Sequence, residues 1–249
     1  MCAVESSQQE QGGGSQAAPL KNMFNAVPRR YDLLNRLLTF WLDEPWRAIA
    51  VRQCLAESPQ RVLDLCCGTG DLTRQLAAKC SDATELFGFD FSPAMLEQAR
   101  IKAKRTGYIS RVELVEGNAA AMEFADGHFD SVGIAFGFRN LTWRNRLKDA
   151  ALSEVHRVLR SGGRFVIVET SQPQNAAWRW LYHAFLKVIA GPVGTWISGH
   201  PSAYRYLAES ASDYYTADEV KEMLLSAGFS KVSYQRLLGG VAAVHTAVK

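Results

Sequence analysis

Two glycines and three carboxylates carry the first recognisable chemistry. In "VLDLCCGTGD", Gly68 and Gly70 follow a strand-like run, where a backbone must turn tightly and let a ligand come close. Asp90 closes the next apolar run, "TELFGFD", and a carboxylate at that place accepts hydrogen bonds from ribose hydroxyls. The pattern points to a nucleoside-containing cofactor. A dinucleotide would want a third glycine and a helix N-terminus free to meet pyrophosphate. Here Thr73 takes the third position and Asp71 stands at the helix start, where its charge repels phosphate. With Asp64 at the end of the same strand, two carboxylates surround the turn and suit a ligand carrying an ammonium and a sulfonium, as S-adenosylmethionine does. The alternative reading of Asp71 is a helix-dipole partner. Asn118, in "EGNAAAMEF" after the third apolar run, is either a turn former or an acceptor for an adenine amino group.

A second constellation is "IAFGFRNLTWRNR", residues 134–146, which begins as a buried strand and ends in arginine and asparagine. A strand tip is where ligands gather in an α/β sheet. Gly137 is expected to turn the chain there, Phe136 and Phe138 to wall an aromatic pocket, and Arg139 and Asn140 to face polar atoms of a ligand.

The elements that must position these groups follow from periodicity. Short β-branched runs, "RVLDL", "TELFGFD", "VELVEG", "FDSVGIAFG" and "RFVIVET", alternate with helical patterns, which predicts a parallel sheet covered on both faces. The helix "SPAMLEQARIKAKRTG" has Ser92 to cap it, Pro93 in its first turn and Gly107 to end it. The helix before "RFVIVET" is expected to run through "RVLRSGG". Thr216 and Glu219 form a capping box at "TADEVKEMLLSAGF", and the two last runs, joined at Gly239-Gly240, read as an antiparallel hairpin.

The 249 residues suit a single domain, read as 21–249 behind a disordered leader at 1–20 that has no apolar core for a signal peptide. A net charge of +3 is too small to argue for nucleic acid. Five cysteines without CxxC spacing fit reduced thiols and a cytoplasmic protein. The stretch 188–199 is too short to span a bilayer, which takes roughly 20 apolar residues.

On these residues the chain resembles the class I S-adenosylmethionine-dependent methyltransferases, through "VLDLCCGTGD", "GFDFSPAML", "VEGNA" and "RVLRSGGRFVIVE". More narrowly it resembles the quinone C-methyltransferases of menaquinone and ubiquinone biosynthesis, through "MFNAVPRRYDLLNRLLTF", "IAFGFRNLT", "YRYLAES" and "GGVAAVHTA". The likeness runs from about residue 22 to the C-terminus. It implies a Rossmann-like class I α/β fold, with a mostly parallel seven-stranded sheet, an antiparallel C-terminal strand and helices on both faces. It implies S-adenosyl-L-methionine as methyl donor, contacted by Thr69, Asp90, Asn118 and Ala119 beside the Asp64, Gly68 and Gly70 of the turn, and no metal. Tyr31 and Arg139 fall in segments implied to face the transferred methyl and the acceptor ring. The chain departs from the family pattern at Ala135, Asn118, Thr170 and Tyr214-Tyr215.

The implied reaction is C-methylation of a prenylated quinol, demethylmenaquinol before a benzoquinol or another aromatic or lipid acceptor. A scaffold subunit of a quinone-making assembly is the non-catalytic alternative, and an NAD-dependent oxidoreductase ranks last. A ring carbon becomes nucleophilic when a neighbouring hydroxyl is deprotonated. Arg139, permanently charged, can stabilise that phenolate, and Asn140 can bind the second ring oxygen or brace the turn. His245, His128, Asp32 and Tyr31 are the candidate bases, with water under Arg139 as another. His245, on an apolar terminal strand, reads also as a satisfied core residue.

Residues of about 171–215 form an insertion that the core fold does not need. Within it Trp178, Leu181, Tyr182, Phe185 and Ile189 recur at helical spacing beside the ladder Arg179, His183 and Lys187. That is the pattern of a basic amphipathic helix at a membrane surface, or of a lid over the methyl donor. Peripheral membrane association and a homodimer are both compatible with it. Phe24, Val27, Tyr31, Leu34 and Leu38 give an N-terminal apolar stripe, from which Tyr31 and Asn35 could face the acceptor.

Overall fold

The computed structural model describes residues 36, 39, 41–190 and 209–249. The leader, Tyr31 with the rest of the N-terminal stripe through Leu38, and residues 191–208 of the insertion lie outside the described residues.

The chain runs α1 (Asp43–Cys54), β1 (Arg61–Leu65), α2 (Asp71–Ala77), β2 (Glu85–Asp90), α3 (Pro93–Thr106), β3 (Val112–Glu116), β4 (Phe129–Ala135), α4 (Phe138–Thr142), α5 (Lys148–Val158), β5 (Leu159–Thr170), α6 (Ala176–Phe185), α7 (Ala217–Ser226), β6 (Lys231–Leu237) and β7 (Ala242–Val248). The strands form one seven-stranded sheet in the order β3-β2-β1-β4-β5-β7-β6. The first five strands pair in parallel, and β7 runs antiparallel to both β5 and β6. This is the sheet the strand-helix alternation and the terminal hairpin predict.

Alternation along each strand sorts the core into two layers. On β5, Val166 and Val168 join the cluster built on Trp46, Val51 and Leu76 of α1 and α2, with Tyr182 of α6. Their neighbours Phe165 and Ile167 join the opposite cluster, with Phe138, Leu152, Val155 and Leu224 of α4, α5 and α7. Helix ends follow local chemistry. Ser92 accepts from the Met95 amide at 3.3 Å and Gly107 closes α3 in the left-handed region at φ 83°. Thr216 and Glu219 form the capping box of α7. One boundary differs from expectation: α5 stops at Val158, and the "RSGG" residues already belong to β5. Leu159 pairs with Phe129, and a register shift lies before the Arg164–Ser131 pair, so the loss of helix is compensated by sheet hydrogen bonds.

The order of the strands sets up the site. With β1 central and β4 on its other side, the chain reverses direction across the sheet after β3, and the carboxyl ends of β1 and β4 mark the switch point where ligands gather in such sheets. No helix among the described residues is long and apolar enough to cross a membrane.

Candidate functional site

The glycine turn is organised around Asp90. Its Oδ2 accepts from the Gly68 amide at 2.9 Å and its Oδ1 from the Ser92 amide at 2.9 Å. The turn after β1 is thus tied to the tip of β2 by one carboxylate. Burial raises the Asp90 pKa above the ordinary range, against the pull of these amides. Gly68 lies at φ 54° with open space where a Cβ would point, so the backbone can be approached closely. Gly70, at φ 84°, opens α2; a Cβ there would stand 3.3 Å from both Ala99 Cβ and the Tyr108 hydroxyl.

Asp64, 1% exposed, accepts from Thr73 Oγ1 at 2.5 Å through Oδ2, while Oδ1 has no hydrogen-bond partner. Burial pushes its carboxyl up to about 7, only partly opposed by Thr73. The two carboxylates expected around the turn therefore differ. Asp71 receives Lys102 Nζ at 2.5 Å, with Arg36 at 3.7 Å and Arg47 at 4.0 Å. Burial disfavours its charge, yet Lys102, Arg47 and Arg36 together hold the carboxyl below its ordinary pKa. Its charge is spent within the protein, which corrects the reading of Asp71 as a partner for a cationic ligand. Lys102 also donates to Thr69 Oγ1 at 3.1 Å. Asn118 is exposed and its Oδ1 accepts from the Ala120 amide at 3.0 Å, a turn-forming contact. The Ala119 side chain packs in the core with Phe89 and Leu65.

At the tip of β4 the chain turns differently from expectation. Phe136 takes the left-handed conformation, φ 58°, whereas Gly137 has φ −108°. Gly137 is needed because a Cβ would lie 2.9 Å from Cys66 Cβ: the two strand tips touch. Phe138 is fully buried and meets Phe165 edge-on at 5.9 Å, so it belongs to the core. Only Phe136 stays at the rim, tilted against Trp46 at 6.5 Å and under the Arg47 guanidinium at 5.0 Å.

Arg139 is 6% exposed. Its amide donates to Glu169 Oε2 at 3.0 Å and its Nη1 to Thr170 Oγ1 at 2.8 Å, and the Thr170 hydroxyl donates to Glu169 Oε1 at 3.0 Å. The guanidinium lies 3.8 Å from Glu169. A buried charge without compensation would cost several kcal/mol, so Glu169 is what lets a cation sit at this strand tip. Asn140 is half-buried next to it, and its carbonyl accepts from Asn145 Nδ2 at 3.0 Å. Around this pair stand Tyr182 of α6 and Tyr214, whose hydroxyl lies 3.0 Å from Thr142 Oγ1.

His245 lies elsewhere. It pairs with Ile167 on β5 and Tyr234 on β6, three positions from the Ala242–Thr170 pair at the tip. Its Nε2 donates to the Ala217 carbonyl at 3.0 Å, and burial lowers its pKa to about 4. A neutral imidazole beneath α7 is set in packing, away from the other candidate residues. Sequence reasoning passed over Glu169, Thr170 and Lys102 as site residues. The available signal was a carboxylate ending the apolar run "RFVIVET", the counterpart of Arg139 ending "IAFGF".

A model of the ubiE/COQ5 methyltransferase family matches residues 11–249. The chain belongs to that family. It is 44% identical over 223 residues to demethylmenaquinone methyltransferase of Thermus thermophilus, an alignment covering 90% of this chain and 98% of that protein. It is 38% identical over 231 residues to the ubiquinone/menaquinone biosynthesis C-methyltransferase UbiE of Geotalea uraniireducens, covering 92% and 96%. Among solved structures, a SAM-dependent methyltransferase from Aquifex aeolicus superposes with a TM-score of 0.54 at 18% identity, over 80% of this chain and 88% of that one. Phosphoethanolamine N-methyltransferase 2 of Haemonchus contortus, in complex with S-adenosyl-L-methionine, superposes at 0.53 and 16% identity, over 76% and 48%. These likenesses in structure are of fold alone. The chain is an S-adenosylmethionine-dependent methyltransferase of class I architecture, and the buried acceptor oxygen on Asp64, the anchored Asp90 and the open face of Gly68 fit that donor.

Proposed function

We propose that the enzyme C-methylates the ring of a prenylated quinol, demethylmenaquinol to menaquinol. The observation that carries this reading is the buried Arg139 guanidinium at the tip of β4, one strand from the donor turn, in a chain similar along its length to a demethylmenaquinone methyltransferase. When bound, S-adenosylmethionine supplies an electrophilic methyl group. Asp90 would hold its ribose, the Asn118-Ala119 segment its adenine, and the Asp64 carboxylate its ammonium. Thr69, Gly68 and Gly70 line the turn. On the acceptor side Arg139 stabilises the ring phenolate and Asn140 orients the second ring oxygen. Water beside Arg139 takes the hydroxyl proton as the phenolate forms, and the ring carbon, once methylated as the S–CH3 bond breaks, gives its C–H proton to solvent. The full chain with labelled donor and a panel of reduced naphthoquinones and benzoquinones tests the reading. Product mass one methyl heavier on the naphthoquinol is expected; label on a benzoquinol alone would reassign the ring, and no labelled quinone would sink the reading.

The quinol's tail calls for a lipid-facing surface. Trp180, Leu181 and Val188 are 72%, 50% and 72% exposed on α6 and the turn after it. Leu238 stands beside them, its carbonyl accepting from Trp178 Nε1 at 3.2 Å, and Lys187 is exposed on the same segment. The inward face of α6, Tyr182 and Leu186, is already buried, so this outward face supports docking of the cytoplasmic enzyme to anionic lipid. Flotation with vesicles containing phosphatidylglycerol is expected to carry the protein. A vesicle-independent dimer lost on Leu181→Glu would assign the face to a homodimer instead.

A further inference from the structure

Among the described residues, one hydroxyl beside the acceptor half meets no protein group. Tyr182 is 8% exposed, its ring in the cluster with Val168, Leu186 and Leu237. Among the described residues its hydroxyl makes no hydrogen bond. The charged groups acting on it are Arg139 and Glu169. Tyr214, the other tyrosine buried there, is already engaged with Thr142, and Tyr108 donates to the Gly70 carbonyl.

Arg139 shows the matching feature. Its Nη1 is committed to Thr170, while its buried Nε has no partner. The Glu169 carboxylate reaches the guanidinium through the Thr170 hydroxyl, with 3.8 Å for the direct approach. One edge of the guanidinium is thereby fixed, and donors on its remaining atoms are left for a ligand. A buried donor without a partner costs about 1–3 kcal/mol, and such groups in a native fold call for an explanation. Among the described residues the other buried side-chain atoms without partners are Asp64 Oδ1 at the donor turn, Arg36 Nε, Ser131 Oγ near the start of β4 and His245 Nδ1 beneath α7.

We propose that Tyr182 is a further substrate-contacting residue, its hydroxyl donating to the acceptor-ring oxygen on which charge develops and sharing that oxygen with Arg139. The assignment rests on the acceptor being a hydroxylated ring. Two donors of different kinds then converge on the phenolate, a fixed cation and a neutral hydroxyl, as in an oxyanion hole. Burial pushes the Tyr182 pKa up to about 12, so the group keeps its proton and serves as a donor rather than a base. The insertion thus contributes chemistry to the site as well as cover.

Tyr182→Phe removes the hydroxyl and keeps the ring, and since no bond to protein is broken its melting temperature should match wild type. With the quinol as acceptor, kcat should fall about a hundredfold, with the donor Kd unchanged and the acceptor KM raised only slightly. A second readout does not depend on methyl transfer. The full chain, saturated with S-adenosylhomocysteine, is titrated with 4-nitrophenol, whose phenolate is visible by absorbance. Wild type should favour the bound phenolate and lower its apparent pKa by about one unit, and Tyr182→Phe should lose most of that shift. If Tyr182→Phe turns the quinol over at the wild-type rate, or leaves the nitrophenolate shift intact, the assignment is overturned. If wild type methylates no quinol while the shift still depends on Tyr182, the oxygen site stands and the quinol reading fails.

Discussion

The two halves of the candidate site are built in different ways. At the tips of β1 and β2, the groups proposed to meet the donor are held by backbone amides: the Asp90 carboxylate binds the amides of Gly68 and Ser92, and Asn118 binds the amide of Ala120. At the tips of β4 and β5, side chains hold side chains brought from far along the sequence: Arg139 with Glu169 and Thr170, Thr142 with Tyr214. The first construction is made of turns, each specified by a few adjacent residues and joined across one strand pair by Asp90. The second exists only once the sheet has formed. A donor shared by many reactions can be held by the first, whereas the acceptor differs from enzyme to enzyme and is met by the second.

Substitutions that cross this division should separate its halves. The largest effect is expected from Arg139→Ala: turnover down by about a thousandfold, with the donor Kd, by calorimetry, within about twofold of wild type. Its melting temperature should also fall, because Glu169 is left as an unpaired buried charge. Asp90→Ala should do the reverse, weakening donor binding by about ten- to a hundredfold as charged hydrogen bonds are lost, with the acceptor KM unchanged. If Arg139→Ala weakened donor binding as much as it slowed turnover, the two halves would not be separable.

A third test sharpens the donor half alone. Asp64 has its carboxyl raised to about 7 in the folded chain by burial. A group so raised favours the fold below its unfolded pKa and loses that contribution as pH climbs through about 7. An ammonium beside Oδ1 favours the ionised form, so donor affinity should increase as pH rises through about 7 and level off above it. Calorimetry across that range should find the slope in wild type and a flat line in Asp64→Asn.

The smallest effect should come from His245. Its pKa falls from 6.5 to about 4 on folding, so between these values the unfolded chain binds the proton and the folded chain does not. Stability from this residue is therefore full above about 6.5 and lost as pH falls toward 4, by up to about 3 kcal/mol. Asp64 works in the opposite direction over part of that range. Urea melts of wild type and His245→Gln should differ in their pH slope, while the pH dependence of kcat stays the same in both. A changed rate profile would return His245 to the reaction.

The same division explains what could be read in advance. The strand-helix alternation, the Ser92 and Thr216 caps, the hairpin at Gly239-Gly240 and the glycine turn are local, and periodicity and turn chemistry specify them. Asp71 misled because its partner Lys102 is a full turn-strand-helix unit away. Phe138 misled because helix α4 starts at once after Gly137 and turns that ring to the core. Glu169 and Thr170 look like the end of one more strand until β4 lies beside β5 and Arg139 comes within reach.

Arg47 touches both constructions. Its guanidinium lies 4.0 Å from Asp71 on the donor side and 5.0 Å from the centre of the Phe136 ring on the acceptor side. A displacement of the glycine turn would therefore reach the aromatic rim through a buried lever that Asp43 anchors at 2.5 Å. Whatever free energy this lever passes from one ligand to the other must return in equal measure. The enzyme's preferred order of loading and its inhibition by the spent donor would then be two readings of a single mechanical link.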